Sequence, residues 1–183
     1  MNSLIDRLSE DEREEIREWT AIAEDVEWPA QVARYHGWLA ANASYHTLQQ
    51  QLGYREMRGL MDALEIEPPV DRATAEELVT AATELCMQTG KTRVVSRTKN
   101  DELHLYSTKC PLYELFTNPR WQGLTACGCF SRRRGWYAAL SGVLGEDLVK
   151  SRKWGDPVCE VIVAPASELN RTAREALGTS PGR

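Results

Sequence analysis

Hydrophobic and polar residues follow two different patterns along this chain. Up to about residue 90, apolar residues recur at helical spacing, and caps and breaks divide the segment into several helices. Beyond it, segments rich in β-branched or alternating residues indicate strands. We therefore predict an α+β fold, in which N-terminal helices pack on a small, mostly antiparallel sheet.

Caps and breaks locate the helices of the first half. Ser9–Glu12 and Thr74–Glu77 have the S/T-x-x-E form of a capping box. Pro29 suits the first turn of a helix, and Gly53 is a typical stop. The predicted helices cover about residues 10–25, 30–52, 54–64 and 74–87. In the second of them one face at helical spacing is formed by Val32, Tyr35, Leu39, Ala43 and His46.

The second half predicts two hairpins joined by shorter helices. The strands cover about residues 92–98, 103–107, 148–154 and 158–163, and the helices about 110–116, 135–144 and 167–177, with Gly145 as a stop. We expect a single domain over residues 1–183. Its helical part covers residues 1–90, and its α+β part, which carries most of the cysteines, covers residues 91–165. A Gly/Ser/Pro tail at 178–183 is expected to be flexible.

Composition narrows the class of protein. The formal net charge of −5 argues against nucleic-acid and anionic-membrane partners, because phosphate binding needs positive charge. The acidic N-terminus lacks the apolar core of a signal peptide, so a cytoplasmic location is expected. Thiols stay reduced there, and five cysteines, an odd number, do not predict a disulfide framework. The expected partner is a small-molecule substrate. The chain could also form a homodimer.

Cys110 is the first candidate for chemistry. It lies where a predicted strand ends and a helix begins, with Pro111 at the first helical position and Lys109 beside it. Helix N-terminal N–H groups and a cation stabilise a thiolate, which can attack an electrophilic carbon or bind a metal. The alternative is a buried cysteine that packs as a small apolar residue.

Three more cysteines follow. In an extended chain, Cys127 and Cys129 point the same way, so they can share a metal or act as attacking and resolving thiols. Cys159 follows Gly155-Asp156-Pro157 at the mouth of the second hairpin. With Cys110 these residues could form a Cys₄ zinc site, although no C-x₂-C knuckle is present. We expect that the protein uses no cofactor, with bound zinc as the alternative. The fifth cysteine, Cys86, is expected to lie in the hydrophobic core.

Basic and aromatic residues suggest where a substrate binds. Arg132, Arg133 and Arg134 offer guanidinium forks to a carboxylate, although a solvated helix start is the alternative. Trp136 follows and could wall a pocket, and we add Lys109 and Asp156 to the candidate substrate-binding residues. The three histidines do not cluster in sequence, and only His104 is a candidate base for Cys110. Nucleotide-binding and serine-hydrolase motifs are absent from the sequence.

These residues carry a family resemblance. Lys109-Cys110-Pro111, the central Cys127 and the segment Gly155–Val161 together resemble the L-2-amino-thiazoline-4-carboxylic acid hydrolase-like family. The segment Gly135–Gly145 with the strand that follows is similar to the vinyl-reductase-like small-molecule-binding domain. The resemblance covers about residues 94–163. The chain departs from the family pattern at Glu160-Val161, and it adds Cys129 and the triple arginine.

The resemblance implies an α+β fold and hydrolysis of a C–N bond in a small cyclic substrate. By position it carries over Cys110, Cys127, Asp156 and Cys159. We therefore expect a cysteine-dependent hydrolase acting on a non-peptide C–N bond of a small, anionic heterocycle, with a role in biosynthesis. The alternative is a non-catalytic module of the vinyl-reductase-like type that binds a small molecule or zinc.

Overall fold

The described part of the chain contains three helices with both ends defined, four strands and a 3₁₀ turn, and Asp11, Glu12 and Ile16 are also helical. The computed structural model describes Ser9, Asp11, Glu12, Ile16 and residues 27–87, 92–97 (by their backbone), 103–108 and 127–169. Helices α1, α2 and α3 span Trp28–Ala63, Arg72–Cys86 and Gly128–Ala139. Strands β1, β2, β3 and β4 span Thr92–Arg97, Leu103–Ser107, Leu144–Lys150 and Cys159–Pro165.

The four strands form one sheet in the order β1-β2-β4-β3, with every neighbouring pair antiparallel. The β2–β4 pair sets Leu103 opposite Val163 and Leu105 opposite Val161. These four buried side chains share one face, because side chains alternate along a strand. They join a core with helical residues, among them Met57, Met61, Leu78, Val79 and Trp136. The predicted α+β class, with helices on an antiparallel sheet, is confirmed.

Helix α1 does not stop where the sequence predicts. Gly53 lies inside α1, which continues to Ala63, and the backbone departs from helical geometry at Gly37 instead (φ 80°, ψ 160°). Gly53 is buried, and a Cβ there would overlap the backbone carbonyl of Arg132 on α3. The glycine therefore permits a close helix crossing, and the prediction of a stop there was wrong.

The apolar face predicted for residues 32–46 was also wrong. Tyr35 is 76% exposed and Leu39 is 89% exposed. The buried residues of α1 instead recur mostly at intervals of four from the middle of the helix: Ala41, Tyr45, Gln49, Gly53, Met57 and Met61. Contacts with α3 select this stripe, which includes a polar glutamine and a glycine that carry little hydrophobic signal.

One of the two predicted capping boxes is confirmed. The Glu12 carboxylate accepts from the backbone N–H of Ser9 at 2.7 Å, and the Ser9 hydroxyl accepts from the N–H of Glu12 at 3.2 Å. In the second case the helix begins earlier, since Asp71 is the N-cap and accepts from the N–H of Thr74 at 2.8 Å. This bond lowers the pKa of the Asp71 carboxyl.

The helix predicted over residues 135–144 is displaced. It begins at Gly128 and ends at Ala139, and Ser141 and Gly142 then take positive φ values of 58° and 71°. Gly145 is therefore no helix stop but a residue of β3, opposite Ala164. Residues 152–154, predicted as strand, form a 3₁₀ turn, and residues 166–168 form a turn. The helix predicted at 110–116, most of that at 167–177 and the 178–183 tail lie outside the described residues.

None of the helices in the described ranges combines the length and the hydropathy that a transmembrane span needs.

Candidate functional site

Two thiols meet at the first turn of α3. Cys127 is the N-cap, with extended backbone angles (φ −80°, ψ 128°), and Cys129 is the second helical residue. Their sulfur atoms lie 2.7 Å apart, and both residues are half-buried. The intervening Gly128 is buried, and a Cβ there would overlap the hydroxyl of Tyr45 on α1. Because the positive end of the helix dipole lies here, a thiolate would be stabilised at this position.

Lys153 brings a cation to the same place. It belongs to the 3₁₀ turn Arg152–Trp154 between β3 and β4, and its backbone N–H donates to the Ser151 hydroxyl at 3.2 Å. Lys153 as a residue is exposed, yet partial burial of its ammonium group lowers its pKa, against an opposing effect of the nearby Cys127 thiolate. The turn therefore presents a lysine with weakened basicity beside the thiol pair.

The same turn holds Cys159. The backbone N–H of Arg152 donates to the Cys159 sulfur at 3.3 Å, and the Arg152 guanidinium donates to the carbonyl of Thr108 at 2.8 Å. Cys159 pairs with Ser107 across the β2–β4 ladder. The Asp156 carboxylate accepts from the N–H of Ser151 at 2.8 Å and so closes the turn. Lys109 and Cys110, which follow the end of β2 in the sequence, lie outside the described residues.

His46 of α1 faces the start of α3. Its Nδ1 is 2.9 Å from the hydroxyl of Ser131, while its Nε2 is buried without a hydrogen-bond partner. Burial, followed by repulsion from Lys153, lowers the pKa of the imidazole. His46 is therefore a neutral histidine held near the thiol pair and Lys153.

Arg132 is engaged by a carboxylate of the chain itself. Its guanidinium donates through Nε and Nη2 to both oxygens of Glu56 on α1, and the Nε distances are 3.0 and 2.9 Å. The indole Nε1 of Trp136 donates to the same carboxylate at 3.0 Å. Trp136 has no exposed surface. Both candidate substrate-binding residues thus tie α3 to α1.

Arg133 forms a second, more deeply buried pair. It donates to the two oxygens of Glu146 on β3 at 2.6 and 3.0 Å, and the hydroxyl of Tyr137 donates to Glu146 at 2.8 Å. The arginine and glutamate side chains are 9% and 1% exposed. Burial disfavours the charged guanidinium, but the charges of Glu146 and Cys129 outweigh it and raise the pKa of Arg133. Burial raises the pKa of Tyr137.

The last arginine of the run differs, because Arg134 is exposed. It lies seven residues after Cys127, so both belong to one side of α3. Of the three predicted guanidinium forks, two bind carboxylates of the protein, and the third, that of Arg134, is exposed. A role for any of them in substrate binding stays a prediction.

Cys86 lies apart, at the end of α2. It packs against the hydrophobic core, as the sequence predicts. Burial, with the negative charge of Glu56, raises the pKa of its thiol. Both effects make Cys86 a poor nucleophile, so it provides an internal reference for the other cysteines.

A second polar cluster lies on the opposite face of the sheet. Nδ1 of His104 is 2.8 Å from the carboxylate of Glu160, and the Tyr106 hydroxyl is 3.3 Å from the same nitrogen. Lys150 donates to the other Glu160 oxygen at 2.6 Å. The bond from Lys150, with those from His104 and Tyr106, lowers the pKa of Glu160. A buried carboxylate thus orients His104, the histidine suggested as a base for Cys110.

A surface depression of about 320 Å³ opens between α1 and α3. Its lining comes from Thr47, Gln50, Gln51, Tyr54, Gly135 and Ala138. No cysteine or charged residue contributes to it, so it offers no reactive group. The candidate site is therefore the start of α3 with the β3–β4 turn.

Sequence reasoning missed several of these residues. Lys153 gave no signal because a single lysine in a turn is ordinary, and Glu56, Glu146 and Glu160 lie far along the chain from their partners. His46 was noted only as one of three scattered histidines. Among the described residues, no group of three or more His, Cys, Asp and Glu side chains could hold a metal. The Cys₄ alternative includes Cys110 and stays a prediction.

Comparison with known proteins adds no family to this geometry. No protein-family model matches the chain, and no curated protein matches it significantly. The resemblance to the L-2-amino-thiazoline-4-carboxylic acid hydrolase-like family and to the vinyl-reductase-like domain therefore stays a prediction.

Proposed function

We propose that the protein is a cysteine-dependent hydrolase that cleaves a C–N bond in a small, anionic heterocycle, with the start of α3 as its reaction centre. The observation that carries the proposal is the 2.7 Å contact between the sulfurs of Cys127 and Cys129. A thiol so placed donates a hydrogen bond to a neighbouring thiolate, and the helix N-terminus favours that thiolate.

Cys127 is the nucleophile in this proposal. The ammonium group of Lys153 attracts its thiolate, and Cys127 is half-buried and so within reach of a small molecule. The thiolate adds to the electrophilic carbon of a C=N or C–N unit, and the electron pair moves to nitrogen. Cys129 holds the thiolate by its hydrogen bond.

Lys153 supplies the proton transfers. Burial lowers the pKa of its ammonium group, which makes the group a better proton donor. The ammonium protonates the departing nitrogen as the C–N bond breaks. The resulting neutral amine then takes a proton from a water molecule, which attacks the carbon and releases Cys127.

The anionic part of the substrate needs a positive group. Arg132 and Arg133 are engaged by Glu56 and Glu146, whereas Arg134 is exposed on the Cys127 side of α3. Arg134 is therefore the arginine that we assign to a substrate carboxylate.

The family resemblance names a substrate for the test. Purified, reduced protein is incubated with 2-amino-2-thiazoline-4-carboxylate, and product is followed by chromatography. Cys127→Ala should abolish turnover, and Cys86→Ser should leave it intact. Turnover that persists in Cys127→Ala but is lost in Cys110→Ala would move the nucleophile to Cys110.

The zinc-binding alternative is checked on the same preparation. Metal analysis that finds one zinc per chain, lost together with Cys127→Ser, would overturn the enzyme proposal in favour of a binding module.

A further inference from the structure

We propose that Cys127 and Cys129 form a reversible disulfide by exchange with small disulfides, so that the start of α3 is a thiol–disulfide exchange site. This inference goes beyond the proposed hydrolysis and does not depend on it. Their sulfur atoms are already in contact at 2.7 Å, and both residues are half-buried rather than sealed in the core. A small disulfide can therefore reach one of them, and the other needs little movement to follow.

The surroundings give the two thiols different roles. Cys127 precedes the helix and lies beside the ammonium group of Lys153, which favours the attacking thiolate. Cys129 packs against the hydrophobic core, which makes its sulfur harder for a small disulfide to approach. Cys127 is therefore the exchanging thiol and Cys129 the resolving thiol.

The exchange balances in two steps. The Cys127 thiolate attacks one sulfur of the small disulfide, whose S–S bond breaks, and the departing thiolate takes a proton from water. Cys129 then gives its proton to water and attacks the Cys127 sulfur of the mixed disulfide. The Cys127–Cys129 bond forms and the second small molecule leaves as a thiolate, which takes a proton from water, so the two electrons lost by the pair reduce the small disulfide.

The bond is expected to be labile rather than structural. It closes a loop of only three residues, and stabilisation of the fold by a disulfide grows with the length of the loop that it closes. Strained disulfides exchange readily with small thiols. Cys86 is less suited to this exchange, because burial and the charge of Glu56 raise the pKa of its thiol.

The test uses the full-length protein and glutathione disulfide at neutral pH. After incubation the protein is unfolded, its thiols are alkylated, and the products are mapped by mass spectrometry. The reduced chain has five thiols, and we expect oxidation to protect two of them in a Cys127–Cys129 link that dithiothreitol reverses.

Variants separate the two steps. Cys129→Ser should accumulate a glutathione adduct on Cys127, Cys127→Ser should lose the link, and Cys86→Ser should behave as the natural chain. Circular dichroism confirms that each variant is folded. Five alkylated thiols after oxidation, a link to another cysteine, or no adduct on folded Cys129→Ser would each overturn the inference.

Hydrolysis is assayed separately, in excess dithiothreitol. A reversible link without hydrolytic activity would support the exchange site and count against the proposed hydrolase. Hydrolysis without the link would overturn the exchange site alone.

Discussion

The middle of α3 and its start satisfy their polar side chains in different ways. In the middle, Arg132 and Arg133 each bind a carboxylate of another element, and these pairs hold α3 to α1 and to the sheet. At the start, Cys127 and Cys129 contact each other on the half-buried end of the helix. The ion pairs in the middle of α3 thus fix the position of the helix, and the candidate reactive residues lie at its start.

Burial explains this difference. A buried charge must be paired, because the desolvation penalty is otherwise several kcal/mol per ion. The side chains of Arg133 and Glu146 meet that demand with two hydrogen bonds and a third from Tyr137. A thiol carries no full charge and is only a weak hydrogen-bond donor, so Cys127 and Cys129 can lie at the half-buried end of the helix without a carboxylate pair of this kind.

The largest effect is expected from the buried pair. Glu146→Gln should lower the free energy of unfolding by about 3–5 kcal/mol, because it leaves the buried charge of Arg133 uncompensated. Urea denaturation measures it. Asp62→Asn is the matched control, since it breaks the exposed Arg58–Asp62 pair and should cost less than about 1 kcal/mol. Equal losses in the two variants would contradict a framework role for the buried pair.

Two glycines of α1 test the close crossing with α3. Gly53→Ala should destabilise the fold by about 1–3 kcal/mol, because the methyl group would overlap the carbonyl of Arg132. Gly59→Ala is the control, as nothing lies within 4 Å of its added Cβ. In the middle of a helix it should stabilise by about 0.5–1 kcal/mol. Thermal unfolding of both variants should show shifts of opposite sign, and a stabilised Gly53→Ala would disprove the close approach.

A smaller effect should come from pH at His46. Its pKa is lowered in the folded state, so the unfolded chain binds more protons below the ordinary histidine value of about 6.5. Stability contributed by the neutral imidazole is therefore present above that pH and is lost as pH falls below it. His46→Gln should flatten this part of the stability profile, measured by urea midpoints between about pH 7 and 5.5. If the pH dependence of stability is the same in His46→Gln as in the natural chain, His46 is not shielded from water in the folded protein.

The smallest effect on stability is expected at the exposed arginine. Arg134→Gln should change the free energy of unfolding by less than about 0.5 kcal/mol, as surface substitutions usually do. If it binds the substrate carboxylate, KM should rise while kcat is kept. Arg132→Gln should instead destabilise the fold, because it removes the charge that neutralises the half-buried carboxylate of Glu56. An unchanged KM in Arg134→Gln would remove this arginine from the site.

Local signals located the strands better than the helix ends. The strand Leu103–Ser107 matches its prediction, because alternation and β-branched residues act within a few positions. Gly53 and Gly145 misled the prediction because glycine serves both as a helix stop and where another backbone approaches closely or a strand passes. The residues around a glycine do not indicate which helix or strand packs against it.

The candidate site was predictable in its cysteines and not in its surroundings. The C-x-C spacing suggested an extended chain in which Cys127 and Cys129 point the same way. Only Cys127 is extended, and Cys129 is helical, yet their sulfurs are in contact. Lys153 and His46 reach the same place from a turn and from another helix, which only the packing of α1 on α3 and of the sheet could bring together. The place of Cys110 lies outside the described residues and stays a prediction.

The sequence by itself determined the class of fold, the presence of two antiparallel strand pairs and the reactive residue types, because these depend on periodicity and side-chain chemistry within short segments. Only the tertiary structure decided the use of each polar group. Glu56 and Glu146 engage Arg132 and Arg133 and leave Arg134 exposed. The reason is physical: burial, which sets whether a charge must be paired, is a property of the packed chain and not of any residue in it.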